Sequence, residues 1–340
     1  KTYLPRKFKI GIGHQSDNSI DIYTQDIGIL PIIDGENKYF NILVGGGLGS
    51  HHRQTQTFPR LADELGMCKE SEVLEVVKGI IAIQRDYGVR TDRKQARMKY
   101  LLEDWGVEKF KVELESRINF KLEKYIKKSV VRIENYYGWH KQKQKNKFYC
   151  GIFIENGRIK DTETVKLKSG LAEIIKKYNI ETRLTATQDL ILVNINKEDV
   201  EGVSSLLKEN NIDTNEKYSN LRLASMACPA LPTCSLAVAE AERFLPSLID
   251  QLDLRGFGNE KIKIRMSGCA NSCSRPPVSE IGLIGATANK YNIYLGGDFY
   301  GTRLNRLFLE LVDDEELADK ISKLINYWKE NRKNQPDSRM

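Results

Sequence analysis

Six cysteines occur in the chain, and four fall in two pairs, Cys228-Pro-Ala-Leu-Pro-Thr-Cys234 and Cys269-Ala-Asn-Ser-Cys273. Thiols in such pairs can form disulfides, hold a zinc ion, hold an iron–sulfur cluster or lie buried as inert core. Disulfides fit poorly, because no apolar signal core follows the charged stretch Lys1 to Lys9 and a reducing compartment is expected. A structural zinc ion prefers paired ligands about two to four residues apart. The five-residue gap within the first pair is wide for it. Four thiolates at irregular spacing suit an iron–sulfur cluster, whose ligands spread over a body larger than one ion. Inert burial requires neither the pairing nor the flanking Pro and Gly residues. Cys68 and Cys150 lack such company and read as core residues.

The residues around the pairs add to this reading. After Cys234 comes Ser235-Leu-Ala-Val-Ala-Glu-Ala-Glu-Arg-Phe-Leu245, which predicts a helix over Ala237 to Leu252 with Cys234 at its N-terminus. Free N–H groups there would stabilise negative sulfur. The second pair follows the alternating residues Ile262, Ile264 and Met266 and a Ser267-Gly268 turn, where backbone can come close to a cofactor. Near the start of the chain, Lys7 and Lys9 lie two apart on an extended segment, so both face one side while Arg6 and Phe8 face the other. Taken alone, that is an ordinary solvated strand. The four histidines, His14, His51, His52 and His140, form no ligand spacing and are assigned no metal. The run Gly45 to Gly49 lacks the Gly-x-Gly-x-x-Gly spacing of a dinucleotide site.

These residues need a scaffold, and periodicity predicts one of α+β class. Tyr3 to Ile12 and Ile20 to Ile33 read as extended, and Tyr39 to Val44 as a buried strand. Ser71 to Tyr87 reads as an amphipathic helix and Arg93 to Trp105 as a second, basic one. The polar run Lys141 to Lys147 has no periodic apolar face and reads as a linker. Beyond it a strand Phe148 to Ile154, a tight turn at Asn156-Gly157 and a strand Arg158 to Thr162 predict a hairpin. A helix at Ser169 to Tyr178, strands Thr182 to Thr187 and Leu190 to Ile195, and a helix Lys197 to Asn210 complete a sheet covered on one side. The last block adds strands at Lys261 to Met266, Val278 to Ile284 and Tyr291 to Leu295 and a C-terminal helix. Trp105 and Trp139 are read as core or interface residues.

At 340 residues the chain exceeds a single core and predicts two or three domains: 1–146, 147–220 and 221–340. Lys and Arg number 53 against 46 Asp and Glu, a net +7 that favours anionic partners only mildly. Without zinc-finger spacing or a stacking signature, nucleic acid is not expected as a partner. The chain has no uninterrupted apolar stretch of about 18 residues, so no membrane association is expected and a cytoplasmic location is. It opens at Lys1 without an initiator Met and is expected to be the C-terminal piece of a longer protein.

The motifs Ala227-Cys-Pro-Ala-Leu-Pro-Thr-Cys234, Ala239-Glu-Ala-Glu-Arg-Phe-Leu-Pro246 and Ser267-Gly-Cys-Ala-Asn-Ser-Cys-Ser-Arg275 closely resemble those of the sirohaem sulfite and nitrite reductases. The resemblance extends through Tyr3-Leu-Pro-Arg-Lys-Phe-Lys9, Leu43-Val-Gly-Gly-Gly-Leu48, Gln84-Arg-Asp-Tyr-Gly88 and Arg183-Leu-Thr-Ala-Thr-Gln188. Ala270 and Ser272 stand where that family usually has Pro and Gly, and no ligand is lost.

The resemblance implies the nitrite/sulfite reductase fold, with a ferredoxin-like half-domain at 147–220 and mixed α/β cofactor-binding domains on either side. It implies that Cys228, Cys234, Cys269 and Cys273 bind a 4Fe-4S cluster and that Cys273 also bridges to the iron of a sirohaem. Lys7 and Lys9 match lysines that face the substrate anion; nitrite-type members often lack the second, so Lys9 favours sulfite. Arg6, Gly46, Gly47, Asn271 and Arg275 are the expected sirohaem contacts, the glycines because backbone would approach a flat macrocycle. Arg93, Lys94 and Arg97 are further candidates for its carboxylates. The implied activity is six-electron reduction of sulfite to sulfide in assimilatory sulfur metabolism. Lysines hold the anion and supply protons; arginines hold charge but stay protonated. No flavin or nucleotide motif is present, so the electron donor is expected to be another polypeptide, an NADPH-dependent flavoprotein in preference to a ferredoxin. The alternatives are an assimilatory nitrite reductase of the same fold, a non-catalytic iron–sulfur electron-transfer module, and a zinc-stabilised structural protein.

Overall fold

Three sheets, each with its own apolar core, follow one another along the chain. The structure, a computed structural model, describes residues 2–34, 37–51, 54–127, 136–214 and 217–332. His52 and Arg53 lie outside the described residues. Among the described residues no helix is long and apolar enough to cross a membrane.

The first sheet has the order β1 (Ile10–Ile12), β2 (Ile27–Asp34), β3 (Asn37–Val44), β4 (Asp63–Lys69), with β1 parallel to β2 and the rest antiparallel. Helices α1 (Val73–Tyr87) and α2 (Met98–Glu115) pack on it through Val76, Ile80, Ile83, Leu101, Leu102 and Phe110 against Ile27, Ile29, Ile42 and Val44. The basic residues Arg93, Lys94 and Arg97 precede α2 instead of riding on it. Arg97 is extended (φ −75°, ψ 147°), and its guanidinium reaches the buried Asp26 at 2.8 Å, so the helix starts one residue later.

The second sheet has the order β5 (Gly138–Lys141), β6 (Lys147–Ile152), β8 (Leu190–Asn196), β7 (Glu181–Leu184), all antiparallel. Its helices α3 (Leu167–Tyr178) and α4 (Val200–Glu209) bury Leu171, Ile174, Val203 and Leu207 against it. Lys141 to Lys147 joins paired strands β5 and β6 and is thus a hairpin turn, not a linker. Nor do Arg158 to Thr162 form a strand: Glu155–Gly157 is a short 3-10 turn, and the Asn156 side chain leaves the sheet to bond the next unit.

After α5 (Asn220–Ala224) comes the third sheet, ordered β13 (Arg306–Asp313), β12 (Lys290–Leu295), β11 (Ile281–Thr287), β10 (Ile264–Ser267), β9 (Met226–Ala227). The short β9 runs parallel to β10. Helices α6 (Leu245–Leu254) and α7 (Asp314–Asn331) cover a core of Leu248, Leu252, Ile264, Met266, Ile293 and Ile321. Helix α6 begins at Leu245, eight residues after the expected Ala237, with Pro246 in its first turn. The intervening backbone is spent elsewhere: the N–H groups of Val238 and Ala239 donate to Gly268 O, and that of Glu242 to Cys228 O. Cys234 therefore sits in a turn and not at a helix N-terminus.

Candidate cofactor and anion site

The two cysteine arms leave neighbouring strands. Cys228 follows β9 and Cys269 follows β10, and the pairing Ala227↔Met266 sets them side by side. Gly268 donates its N–H to Cys228 Sγ at 3.4 Å. A side chain at Gly268 would strike Ala239 O and Ala230 Cβ at 2.5 and 2.6 Å, so only glycine lets the arms meet. The second arm is cinched by Ser274, whose hydroxyl donates to Met266 O at 2.6 Å and lies 2.8 Å from Ser267 Oγ. Ser272 and Arg275 adopt left-handed backbone (φ 56° and 62°), which turns the arm back on itself.

All six cysteines are free thiols. The four paired ones form a coupled group. Lost hydration pushes the Cys269 and Cys273 thiols up, and neighbouring Cys228 and Cys234 push the same way on both, while Lys7 opposes the shift at Cys273. Among the described residues no three His, Cys, Asp or Glu side chains close to the spacing of a single metal ion. Four thiols on two neighbouring arms are a donor set of the kind that holds an iron–sulfur cluster. Cys68 and Cys150, buried in the first and second cores, are pushed up to about 12 by burial and are inert thiols, as expected.

The second arm forms one wall of a cleft of about 360 Å³. Asn271, Ser272, Cys273 and Arg275 face Leu48, Gly49, Ser50 and His51, with Arg6, Lys7, Lys9, Arg93, Lys94 and Arg97 around the rim. Gln25 and Tyr100 complete the lining, and among the described residues no carboxylate is part of it. The consequence is mutual repulsion. Arg6 is held below its ordinary value by lost hydration and then by Arg93 and Arg97. Lys9 is likewise held low, first by lost hydration and then by Arg97, with Asp26 opposing. Two of these cations have carboxylates behind the wall, Asp26 beside Arg97 and Asp21 beside Arg275, but seven Lys and Arg side chains share the cleft, so a bound anion would relieve the repulsion that remains.

Of the residues expected at the site, Arg6, Lys7, Lys9, Asn271, Cys273 and Arg275 line this cleft together. Arg6 does so although alternation predicted it on the opposite face; the segment before β1 is not regular strand, and only Phe8 turns to the first core. Gly46 and Gly47 do not line the cleft. A side chain at Gly46 would meet the carbonyls of Tyr23 and Gln25, and one at Gly47 would meet Arg97 and Lys99 at 3.1 and 3.2 Å. These glycines are demanded by the protein's own packing, whereas Gly49 faces Asn271 across the cleft floor. Arg275 has a second occupation: Nε donates to Asp21 at 2.6 Å and Nη2 to the carbonyls of Ser19 and Ala186 at 3.0 and 2.9 Å. Sequence reasoning missed Gln25, Ser50 and Tyr100, which carry no local motif. It also missed Lys99, a buried lysine whose Nζ donates to Gly49 O at 2.7 Å and to Gly47 O and Phe58 O.

Fold and site together define an α+β protein with four cysteines on two neighbouring arms beside a cleft rimmed by Lys and Arg. The chain belongs to the nitrite and sulphite reductase 4Fe-4S domain family, whose model matches residues 1–122 and 222–340. The model of the nitrite/sulfite reductase ferredoxin-like half domain matches the intervening residues 140–210. Among curated relatives, proteins named sulfite reductase (NADPH) hemoprotein beta-component are 43% identical in Oceanobacillus iheyensis, over 98% of this chain and 59% of the relative, and 41% identical in Bacillus subtilis, over 97% and 58%. The chain thus spans about three fifths of the length of the curated relatives it matches. The fold is that of the Mycobacterium tuberculosis NirA protein, with a TM-score of 0.79 at 24% identity over 99% of this chain and 62% of that one.

Proposed function

We propose that this chain is the cluster-bearing part of a sulfite reductase hemoprotein, holding a 4Fe-4S cluster on Cys228, Cys234, Cys269 and Cys273 beside a sirohaem in the cationic cleft. The observation that carries the reading is the position of Cys273, which belongs to the four-thiol group and also lines the cleft with Lys7 and Lys9. The donor set fits both groups: four thiols in one field suit a cluster, and a rim of Arg and Lys without Asp or Glu suits the many carboxylates of sirohaem. When bound, the two groups supply the electrons and the iron at which sulfite would lose its oxygens.

The chain's own residues would do the rest. Lys7 and Lys9 would hold the anion and supply protons, helped by the lowered pKa of Lys9, which eases proton release. Arg6 and Arg97 would hold carboxylate charge without exchanging protons. Asn271 and the Gly49 backbone would form the floor. We assign the units of the first and third sheets to the cofactor and anion walls and the unit of the second sheet, which opens with β5 at Gly138 ahead of the expected boundary at 147, to the ferredoxin-like half-domain. Electrons would come from an NADPH-dependent flavoprotein, a donor that the NADPH in the relatives' names supports.

The test is a visible and EPR spectrum of the full-length protein, with iron and acid-labile sulfide content, followed by reduced-viologen turnover of sulfite and of nitrite. Haem and cluster signals with sulfite preferred are expected. Absence of both chromophores would sink the proposal, and a strong preference for nitrite would move it to that anion.

A further inference from the structure

On the first cysteine arm the ferredoxin-like unit grips one residue from both sides. Ala227, immediately before Cys228, has both of its outward backbone groups taken by amide side chains from that unit. Its N–H donates to Asn156 Oδ1 at 2.9 Å, and its carbonyl accepts from Gln188 Nε2 at 3.0 Å. Asn156 also donates to Glu242 O at 3.0 Å, and Glu242 N–H donates to Cys228 O at 3.1 Å, so the same amide reaches the far side of the cysteine.

Both gripping residues sit in left-handed backbone, Asn156 at φ 51° and Gln188 at φ 73°. Asparagine adopts that region readily, but glutamine seldom does. The loop that imposes it is braced by Asp189. Its Oδ1 accepts from Ile154 N at 3.0 Å, two residues before Asn156, and its Oδ2 accepts from Tyr136, Tyr137 and Thr187 at 2.6, 3.0 and 2.8 Å. One buried carboxylate thus ties together the two turns that carry Asn156 and Gln188. The same 185–189 loop offers Ala186 O to Arg275, two residues beyond Cys273. Both cysteine arms are therefore referenced to one loop of the intervening unit.

We propose that Asn156 and Gln188 are positioning residues for the Cys228 arm, setting where its sulfur stands and hence the electronic properties of the cluster it would hold. The proposal rests on the cluster reading above. Partners that orient a metal's ligands tune its potential, and hydrogen bonding and exposure at the sulfurs are the levers in iron–sulfur sites.

The experiment uses the full-length protein carrying its cluster. Gln188→Leu removes the donor to Ala227 O, and Asn156→Leu removes both of that residue's bonds. Asn156→Asp keeps the acceptor that faces Ala227 N–H. We expect the Leu variants to retain iron and sulfide, to show an altered cluster EPR line shape and a shifted midpoint potential, and to lose about tenfold in kcat at unchanged KM for the anion. The Asp variant should lie closer to the unaltered protein in both spectrum and potential. Should Asn156→Leu not fold, Asn156→Ser, which removes both long-reaching bonds without added bulk, is read by the same criteria. Leu variants with unaltered line shape and potential, and only a lowered melting temperature, would overturn the proposal while leaving the function intact. An unaltered protein without iron or sulfide would instead overturn the functional reading and this inference with it.

Discussion

The Asp21 carboxylate accepts a hydrogen bond from Arg265 at 2.5 Å, and both side chains are essentially sealed from solvent, with 0% and 2% exposure. Asp21 belongs to the first unit and Arg265 to β10, so the pair locks the anion wall to the cysteine wall. Arg275 joins at 2.6 Å. Burial alone would raise the Asp21 pKa, but Arg265, Arg275 and Lys263 outweigh it and hold the carboxyl well below the usual carboxylate range.

Asp21→Asn should therefore destabilise the chain by roughly 3–5 kcal/mol, because it leaves buried guanidinium charge uncompensated. The pH dependence follows from the direction of the shift. A carboxyl whose folded pKa lies below its unfolded value of about 3.9 stabilises above that value and loses its contribution as pH falls through the folded one. Denaturant midpoints between pH 3 and 7 should show an acid-side loss in the unaltered chain that the variant lacks in part. Equal slopes would remove Asp21 from the acid sensitivity.

Cys273→Ser should abolish cluster loading in the full-length protein, while Cys68→Ser should leave it unchanged. Cys273 shares the field of the other three paired thiols and faces the cleft, whereas Cys68 lies at 2% exposure in the first core. Iron and acid-labile sulfide analysis of both variants reads the difference, and equal loss in the two would mean that Cys273 is not a specific ligand.

The pairing of the cysteines was legible because its signal is local, in residue type, spacing and flanking Pro or Gly, whereas Lys7 and Lys9 taken alone read as an ordinary solvated strand and only the family resemblance turned them toward an anion. The surroundings of Cys234 were not legible. Helical composition from Ser235 onward is overridden when Val238, Ala239 and Glu242 give their N–H groups to Gly268 and Cys228. Those bonds span 30, 29 and 14 residues, and helical periodicity and propensity, which register neighbours three and four apart, do not register them. Arg97 was assigned to a helix for the same reason, since the buried Asp26 that pulls it straight lies 71 residues away. Strand β4, Asp-Glu-Leu-Gly-Met-Cys-Lys, has no alternating pattern to announce it, and its pairing with β3 supplies the order. The glycine run was expected to make room for a flat macrocycle, and at Gly46 and Gly47 the atoms that exclude a side chain are the protein's own.

Lys9→Asn should leave stability within about 0.5 kcal/mol and weaken anion binding. The residue's structural contact is its backbone N–H, which donates to Asp26 at 2.9 Å and survives the substitution, while its side chain reaches into the cleft. Steady-state kinetics of the full-length protein with sulfite should show KM raised about tenfold with the visible spectrum unaltered. Unchanged kinetics would return Lys9 to an ordinary solvated position.

Lys99 has 0% exposure, and its ammonium gives its three N–H groups to the carbonyls of Gly47, Gly49 and Phe58. It thereby fixes the strip of backbone that forms the cleft floor, where Ser50 N–H donates to Ala270 O at 2.9 Å and holds that strip against the cysteine arm. Lys99→Met should leave buried carbonyls without donors and cost about 1–3 kcal/mol. Lost hydration, then Arg97 and Arg60, hold the Lys99 pKa down at about 7 against the opposing pull of Asp26. Since that lies below the unfolded value of about 10.4, the unfolded chain binds more protons between the two. Stability should therefore rise with pH across this window in the unaltered chain and stay flat there in Lys99→Met. Urea denaturation from pH 6 to 10 reads the slope. A flat profile in the unaltered chain would mean that the three carbonyls keep Lys99 protonated throughout, and the floor would then be charge-clamped at every pH in that range.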